Sequence, residues 1–394
     1  MSLYTALSTV TVTCHKRLTP YLEGEVRELG FDIEDVFVTG VRLRATLNDC
    51  IRLNLNLRCA SQVLYSLKQF EAPDANAVYS HLLSWPWEDI LEGDGHFSVT
   101  SNVLNDTINN SMYANLRVKD AIVDRFREKA GTRPSTGSEL TGAVIHLFWK
   151  NDQAEVFIDT SGDSLARHGY RKIPGRAPML EALAASTLLA TRWDRRSPFV
   201  NPMCGSGTLA IEAALLATNS RPGLFRNNYA FMHLKGYDEK IYLQERNILE
   251  KQVADVPGLR IIASDYSEQA ISNARKNAHA AGVADLIEFS ICDFAETEVP
   301  PDNHGIVFLN PEYGERLGEV TELELVYSRI GDFMKQRCRG YFGYIFTGNP
   351  DLAKKIGLKA ARKVEFYTST IDCRLLEYEL YGGTRRADPR KLAS

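Results

Sequence analysis

The sequence predicts an α/β fold, with a parallel, doubly wound sheet in the C-terminal half preceded by an α+β region. Three observations carry this. Beyond residue 197, short apolar runs alternate with helical segments, the pattern of a parallel sheet with crossover helices. A glycine-rich turn follows the first of those runs, and polar residues end the runs that come after it. The first 160 residues instead mix alternating strands, hairpin turns and amphipathic helices.

Taken in order, residues 9–15 alternate apolar and polar side chains as a strand. Pro20 opens a helix that runs to Leu29, with Gly30 just past its end. Residues 36–38 and 41–47 read as a hairpin around Gly40, and Asn48 is placed as the cap of a helix carrying Ile51, Leu55 and Arg58. That β-α-β-β-α order describes a small ferredoxin-like unit. A second α+β block spans 63–160, with a strand at 96–101 and a helix at 113–129. Leu116, Ile122, Val123 and Phe126 lie near one face of this helix, and Lys119, Asp120 and Arg127 lie opposite. Strands 143–149 and 154–159 follow, joined by the tight turn Lys150-Asn151-Asp152-Gln153.

In the C-terminal half, strands are expected at 197–200, 259–264, 286–291, 306–309 and 341–346, with a final hairpin from 364–370 and 375–381. Pro178 is placed in the first turn of a helix containing Leu180, Leu183, Ala184 and Leu188, where a missing N–H costs nothing. Residues 208–217 form the helix after the glycine turn, with Leu209, Ala213 and Leu216 inward. An insert at 219–257, rich in aromatics and arginine, is longer than the connection requires.

A chain of 394 residues holds two or three domains, and its 44% hydrophobic and 24% charged residues are ordinary for a globular protein. No apolar run approaches the roughly twenty residues of a membrane span. The N-terminus lacks the basic-then-apolar pattern of a signal peptide. The 7 cysteines are scattered with no C-x-x-C pair, and the 8 histidines show no H-x-x-x-H spacing. Neither a metal site nor a disulfide framework is expected, and a reducing cytoplasm fits. With a net charge of −4, nucleic-acid binding would need basic residues gathered on one face. Candidates are Arg167, His168, Arg171, Lys172 and Arg176, then Arg192, Arg195 and Arg196, and finally Arg385 and Arg386.

The glycine turn reads Asn201-Pro202-Met203-Cys204-Gly205-Ser206-Gly207-Thr208. Gly205 and Gly207 allow backbone angles and close approach that a Cβ would block, at the point where doubly wound sheets bind adenosine-containing ligands. Asp265 ends the second strand, where a carboxylate can accept from both ribose hydroxyls. Asp293 ends the third, where an oxygen can meet an adenine amine. The fourth strand ends in Asn310-Pro311-Glu312-Tyr313. Thr208-Leu209-Ala210 after Gly207 does not continue the dinucleotide pattern, and no Gly-Lys-Ser/Thr is present for a phosphate loop.

These segments resemble a known family over essentially the whole chain: the ribosomal RNA guanine-N2 methyltransferases that carry a THUMP RNA-binding domain, a group formerly labelled N6-adenine-specific DNA methylases. Phe97-Ser98-Val99-Thr100-Ser101-Asn102 and the helix with Lys119-Asp120-Ala121-Ile122-Val123 resemble THUMP. Arg167-His168-Gly169-Tyr170-Arg171 and 177–184 resemble the entry to the catalytic domain. Arg221-Pro222-Gly223-Leu224-Phe225-Arg226 resembles the 23S rRNA branch rather than the tRNA branch. The resemblance implies a ferredoxin-like domain at 1–60, THUMP at 61–165, and a Rossmann-like class I methyltransferase domain at 166–394. Longer members add a second methyltransferase, for which this chain is expected to end too early.

The resemblance also implies S-adenosyl-L-methionine as cofactor, held by Pro178, 201–208, Asp265, Tyr266 and Asp293. It gives Asn310 and Pro311 as acceptors for the two protons of an exocyclic amine, and Tyr313 as a stacking platform for a flipped base. Glu315 and Arg316 continue the pattern as an ion pair or an RNA contact. Two positions depart from it. Asn201 stands where Asp is usual, and Glu312 where the loop normally has a second proline. The expected function is guanine-N2 methylation in 23S rRNA, with ribosomal RNA as partner. The alternatives are tRNA guanine, DNA adenine, or an RNA-binding protein with impaired chemistry.

Overall fold

The computed structural model describes residues 3–105, 108, 110–174, 178–301, 304–314, 320–368 and 371–381. It forms two compact units: Met1–Tyr170 with Leu180–Ser186 and Thr218–Asp255, and Arg171–Met179 with Thr187–Ala217 and Val256–Ser394. In chain order the elements begin with β1 (Ser8–Thr13), α1 (Thr19–Glu28), β2 (Ile33–Phe37), β3 (Gly40–Ala45) and α2 (Leu47–Asn56). Next come β4 (Gln62–Glu71), α3 (Ala75–Leu83), β5 (His96–Leu104), α4 (Ser111–Ala130), β6 (Ser135–Thr136), β7 (Ala143–Lys150) and β8 (Gln153–Asp159). There follow α5 (Glu181–Leu189), β9 (Phe199–Pro202), α6 (Thr208–Ala217), α7 (Glu239–Gln252), β10 (Ile261–Asp265), α8 (Glu268–Ala280) and β11 (Ile287–Ile291). The last are β12 (Ile306–Leu309), α9 (Val320–Arg337), β13 (Phe342–Thr347), α10 (Pro350–Lys355), β14 (Arg362–Thr368) and β15 (Ile371–Glu379).

In the first unit, one eight-stranded sheet runs β2-β3-β1-β4-β8-β7-β5-β6. The ferredoxin-like and THUMP-like segments therefore share a single sheet, joined where β4 pairs antiparallel with both β1 and β8. Two details correct the sequence reading. Thr46, not Asn48, caps α2. Its hydroxyl accepts from Asp49 N–H at 3.2 Å while the Asp49 carboxylate accepts from Thr46 N–H at 2.8 Å, a reciprocal capping box; Arg58 lies beyond the helix end. Leu116 is 48% exposed, because Ala114, Val118, Ala121, Ile122 and Phe126 form the buried stripe of α4. The Asn151 turn matches expectation, with φ at 54°.

The insert belongs to this first unit. Its helix α7 packs against α2, and a Cβ at Gly223 would sit 2.5 Å from the Leu55 carbonyl. Arg226 donates to the carbonyls of Ser164 (3.1 Å) and Asp163 (2.7 Å), so its guanidinium is engaged in closing the unit. His168 is fully buried, its Nε2 at 2.9 Å from the Arg58 carbonyl, and so leaves the expected basic surface. Glu25 is also buried, and it accepts from the N–H groups of Arg58 (3.1 Å) and Cys59 (2.9 Å).

His146 on β7 contacts the Thr100 hydroxyl at 2.8 Å, and burial lowers its imidazole pKa to about 4. The unfolded chain therefore binds more protons than the folded one between an ordinary histidine value and about 4, and folding stability falls as pH drops through that window. Asp159 works in the opposite sense, since burial raises it to about 6 against the Ser161 N–H and the Gln62 amide. His146→Gln removes only the first effect. Denaturant titrations should show the variant gaining about 2 kcal/mol relative to wild type between pH 7 and pH 5. A pH-independent difference would refute the buried neutral imidazole.

The second unit contains a seven-stranded sheet, β11-β10-β9-β12-β13-β15-β14. β9 to β13 are parallel, and β15 runs antiparallel between β13 and β14. Helix α6 is buried on all sides through Leu216, as expected of a helix enclosed in the core, and its buried residues include one carboxylate, Glu212. The strand order reverses between β9 and β12, which are neighbours with chain on opposite sides of the sheet. That switch point is where the loops after the strands splay apart and leave a crevice. Arg192, another member of the expected basic cluster, instead reaches the buried Glu377 carboxylate at 2.9 Å.

Candidate functional site

The glycine turn leaves β9 at the switch point. Asn201 and Pro202 are the last residues of the strand rather than loop, which the sequence reading missed, and both are buried. Met203 has φ 57°, a non-glycine residue in the left-handed region, of the kind that collects at functional turns. Cys204 N–H donates to Ser264 O and Gly207 N–H to Cys204 O, both at 2.9 Å, which closes the turn before Thr208 starts α6. Gly207, at φ 83°, could not carry a Cβ without meeting Ala274 Cβ at 2.9 Å, whereas a Cβ on Gly205 (φ 55°) would point into open space. Burial and the charge of Asp265 push the Cys204 thiol well up, so it stays protonated and is unsuited to act as a nucleophile.

Asp265, at the end of β10, is buried and shapes this turn directly. Its Oδ2 accepts from Gly205 N–H and its Oδ1 from Ser267 N–H, both at 3.0 Å. Tyr266 beside it is 80% exposed. Asp293 follows β11. Burial raises its carboxyl pKa, but the Ala295 N–H (2.9 Å) and the Arg329 guanidinium (2.8 Å) outweigh it and hold the group ionised below its ordinary value. The Arg329 guanidinium also lies over the Phe294 ring at 4.9 Å.

Asn201 is 1% exposed, and its Nδ2 donates to the Phe308 carbonyl of β12 at 2.9 Å. Turned the other way, the amide would set oxygen against oxygen, so the chemistry fixes its orientation. Its Oδ1 is buried without a partner among the described residues, an acceptor placed beside the glycine turn. An open face at Gly205, an orphaned acceptor on Asn201 and an ordered carboxylate on Asp265 fit a ligand with a cationic amine at one end and hydroxyls at the other.

The strand β12 ends at Leu309, and Asn310-Pro311-Glu312-Tyr313 follows at once. Asn310 is half-buried, and its side chain makes no hydrogen bond among the described residues. Pro311 is buried and Glu312 is exposed. The half-buried Tyr313 ring lies on Gly348, where an added Cβ would stand 3.2 Å away. The Tyr313 carbonyl accepts from Asn349 Nδ2 at 3.3 Å.

Pro178 departs from its expected place: it is half-buried and precedes α5, which begins at Glu181. Next to it, Met179 O and the Thr208 hydroxyl (3.0 Å) both accept from the Arg171 guanidinium. Arg171 therefore fastens this segment to the start of α6 rather than presenting charge outward. Asn277, 1% exposed on α8, accepts from the N–H groups of Lys172 (3.0 Å) and Ile173 (3.1 Å) and donates to the carbonyls of Ile173 (2.9 Å) and Ser206 (3.2 Å). Nothing in the sequence marked Asn277, a lone polar residue in an amphipathic helix. Arg176, Glu315, Arg316, Arg385 and Arg386 lie outside the described residues.

Residues 168–377 match the family model described as RMKL-like, methyltransferase domain. Residues 9–64 match the RlmL ferredoxin-like domain and 72–159 the THUMP domain. The ribosomal RNA large subunit methyltransferase K/L of Syntrophotalea carbinolica is 37% identical over 379 residues, covering 93% of this chain and 53% of that protein. The protein of the same name from Psychromonas ingrahamii is 35% identical over 373 residues, covering 93% and 49%. The chain thus spans about half the length of these curated relatives. Among solved structures, SMU.472 in complex with SAH aligns with a TM-score of 0.85 at 27% identity, covering 96% of this chain and 99% of that one. A Listeria monocytogenes protein described as a predicted N6-adenine-specific DNA methylase aligns with a TM-score of 0.85 at 31% identity, covering 96% and 97%.

Proposed function

Since this chain belongs to the family of RMKL-like methyltransferase domains, we propose that it transfers a methyl group from S-adenosylmethionine to the exocyclic N2 amine of a guanine in 23S ribosomal RNA. The observation that carries the reading is the convergence of the Gly205 turn, Asp265 and the Asn310-Pro311 loop at one switch point. In this reading Gly205 and Asp265 line the cofactor's ribose, Asp293 its adenine amine, and the free Asn201 Oδ1 its ammonium group; Pro178 and Tyr266 flank the pocket. The cofactor would supply a methyl group on a sulfonium, from which a neutral thioether departs readily.

The chain's own residues then deal with the acceptor. A guanine amine is a poor nucleophile because its lone pair is delocalised into the ring. Asn310 Oδ1 and the Pro311 carbonyl accept hydrogen bonds from its two N–H groups and draw the nitrogen toward tetrahedral geometry, and the proton that the methylated nitrogen sheds passes to solvent. Asn310 carries no competing hydrogen bond among the described residues, so no bond has to be broken first. Tyr313 stacks on the flipped base and keeps water away from it.

The exposure of Glu312 accords with an active loop, since its carboxylate is not buried within the turn. The THUMP match favours RNA over DNA adenine as substrate, and the K/L relatives favour ribosomal RNA over tRNA. We assign ferredoxin-like, THUMP and catalytic domains to 1–60, 61–165 and 166–394, with RNA gripped through phosphate and shape by the first two. A cytoplasmic location accords with such a substrate; among the described residues no helix is long and apolar enough to cross a membrane. The test is mass spectrometry of rRNA nucleosides from cells with and without the gene. Loss of one N2-methylguanosine is expected, and an unchanged profile would contradict the proposal.

A further inference from the structure

The acceptor loop contains one proline, Pro311, followed by an exposed glutamate, and a bare β-to-α turn of this kind has little internal stiffness. Two asparagine amides hold it from outside. Asn201 Nδ2 donates to the Phe308 carbonyl at 2.9 Å, two residues before Asn310. Asn349 Nδ2 donates to the Tyr313 carbonyl at 3.3 Å, at the other end. We infer that Asn349 and Asn201 are positioning residues that clamp the acceptor loop at both ends and supply the rigidity its own sequence lacks. The inference rests on the reading of 310–313 as the acceptor loop.

The surroundings of Asn349 suit such a role. Its Oδ1 accepts from Asp351 N–H (3.0 Å) and Leu352 N–H (3.1 Å), so the side chain is held as the cap of α10 while its Nδ2 faces the loop. Its own N–H donates to the Thr347 hydroxyl at 3.2 Å, which in turn pairs with buried Tyr327 at 2.9 Å. The clamp is therefore anchored in the core. Between Asn349 and that anchor, Gly348 leaves the space that the Tyr313 ring occupies. No backbone carbonyl among the described residues receives the Glu312 N–H, so a proline at this position removes no hydrogen bond.

Asn349→Asp isolates the clamp: the carboxylate still caps α10, but it cannot donate to the Tyr313 carbonyl. The variant should fold with unchanged thermal stability, bind cofactor within twofold of wild type, and lose about tenfold in kcat with 23S rRNA. Hydrogen exchange of the 308–314 peptide should quicken at the same time. Adding Glu312→Pro, which fixes φ within the loop, should restore most of the rate and slow the exchange, while Glu312→Pro alone changes kcat less than threefold. Asn201→Asp should quicken exchange from the strand side. Unaltered exchange in Asn349→Asp, or no rescue by the added proline, overturns the inference. Exchange that responds as expected in a protein that methylates no RNA would spare the clamp and contradict the proposed function instead.

Discussion

Asn310→Ala should cut methyl transfer by about 10²- to 10³-fold while cofactor affinity stays at the wild-type value. The side chain makes no hydrogen bond among the described residues, so its removal costs none of their hydrogen bonds. What disappears is the acceptor that pulls an N–H proton of the guanine amine away from the attacking lone pair. Deleting one preorganised polar contact at a reacting centre costs about 10²- to 10³-fold in rate. Single-turnover transfer with saturating cofactor and 23S rRNA measures it, with calorimetry reporting cofactor binding. Parallel loss of both would mean the loop is structural and the acceptor assignment wrong.

The second large effect falls on Asp265. In Asp265→Ala the Gly205 and Ser267 N–H groups both lose their acceptor, and the ribose hydroxyls lose theirs in the proposed complex. Hydrogen bonds to a charged group contribute about 1.5–3 kcal/mol each. Affinity for the cofactor should therefore fall by roughly 30-fold or more, allowing for partial replacement by water. Asp265→Asn, which keeps one acceptor oxygen, should fall between. A calorimetric titration in which Asp265→Ala binds like wild type would remove both the turn-shaping and the ribose roles.

Most of the architecture was legible because it is periodic. The runs that became β10, β12 and β13 are short and largely apolar, β11 alternates, and the expected bounds of all four lie within two residues of the observed ones. The antiparallel hairpin after them was also legible, although the position of β15 between β13 and β14 is a matter of sheet order, which no local pattern encodes. The first strand was set too early, because Asn201 and Pro202 continue it, and a polar residue with a proline ordinarily signals its end. Leu116 was misassigned for a simpler reason. Smaller residues, Ala114 and Ala121, occupy the buried stripe of α4, and hydropathy alone weights a leucine above an alanine.

The candidate site divides the same way. Glycines, strand-end carboxylates and the Asn-Pro loop show in sequence because their chemistry restricts the residue types that can serve. Asn277 and Asn349 do not, since each matters only through a carbonyl brought beside it by tertiary folding. Part of the expected basic cluster was misleading in the opposite direction: His168, Arg171 and Arg192 counted as charge in the sequence and make internal contacts, whereas Arg167, Arg195 and Arg196 are exposed. Charge density along a chain says little about surface when long side chains can turn inward.

The direct test of the central claim is to incubate the purified chain with isotopically labelled S-adenosylmethionine and 23S rRNA, digest the RNA, and locate the label by mass spectrometry. Label on the exocyclic nitrogen of one guanosine, absent with Asn310→Ala, is the result expected when Asn310 and Pro311 draw that amine into line. Label on a ring nitrogen or on ribose, or undiminished labelling by Asn310→Ala, would contradict it.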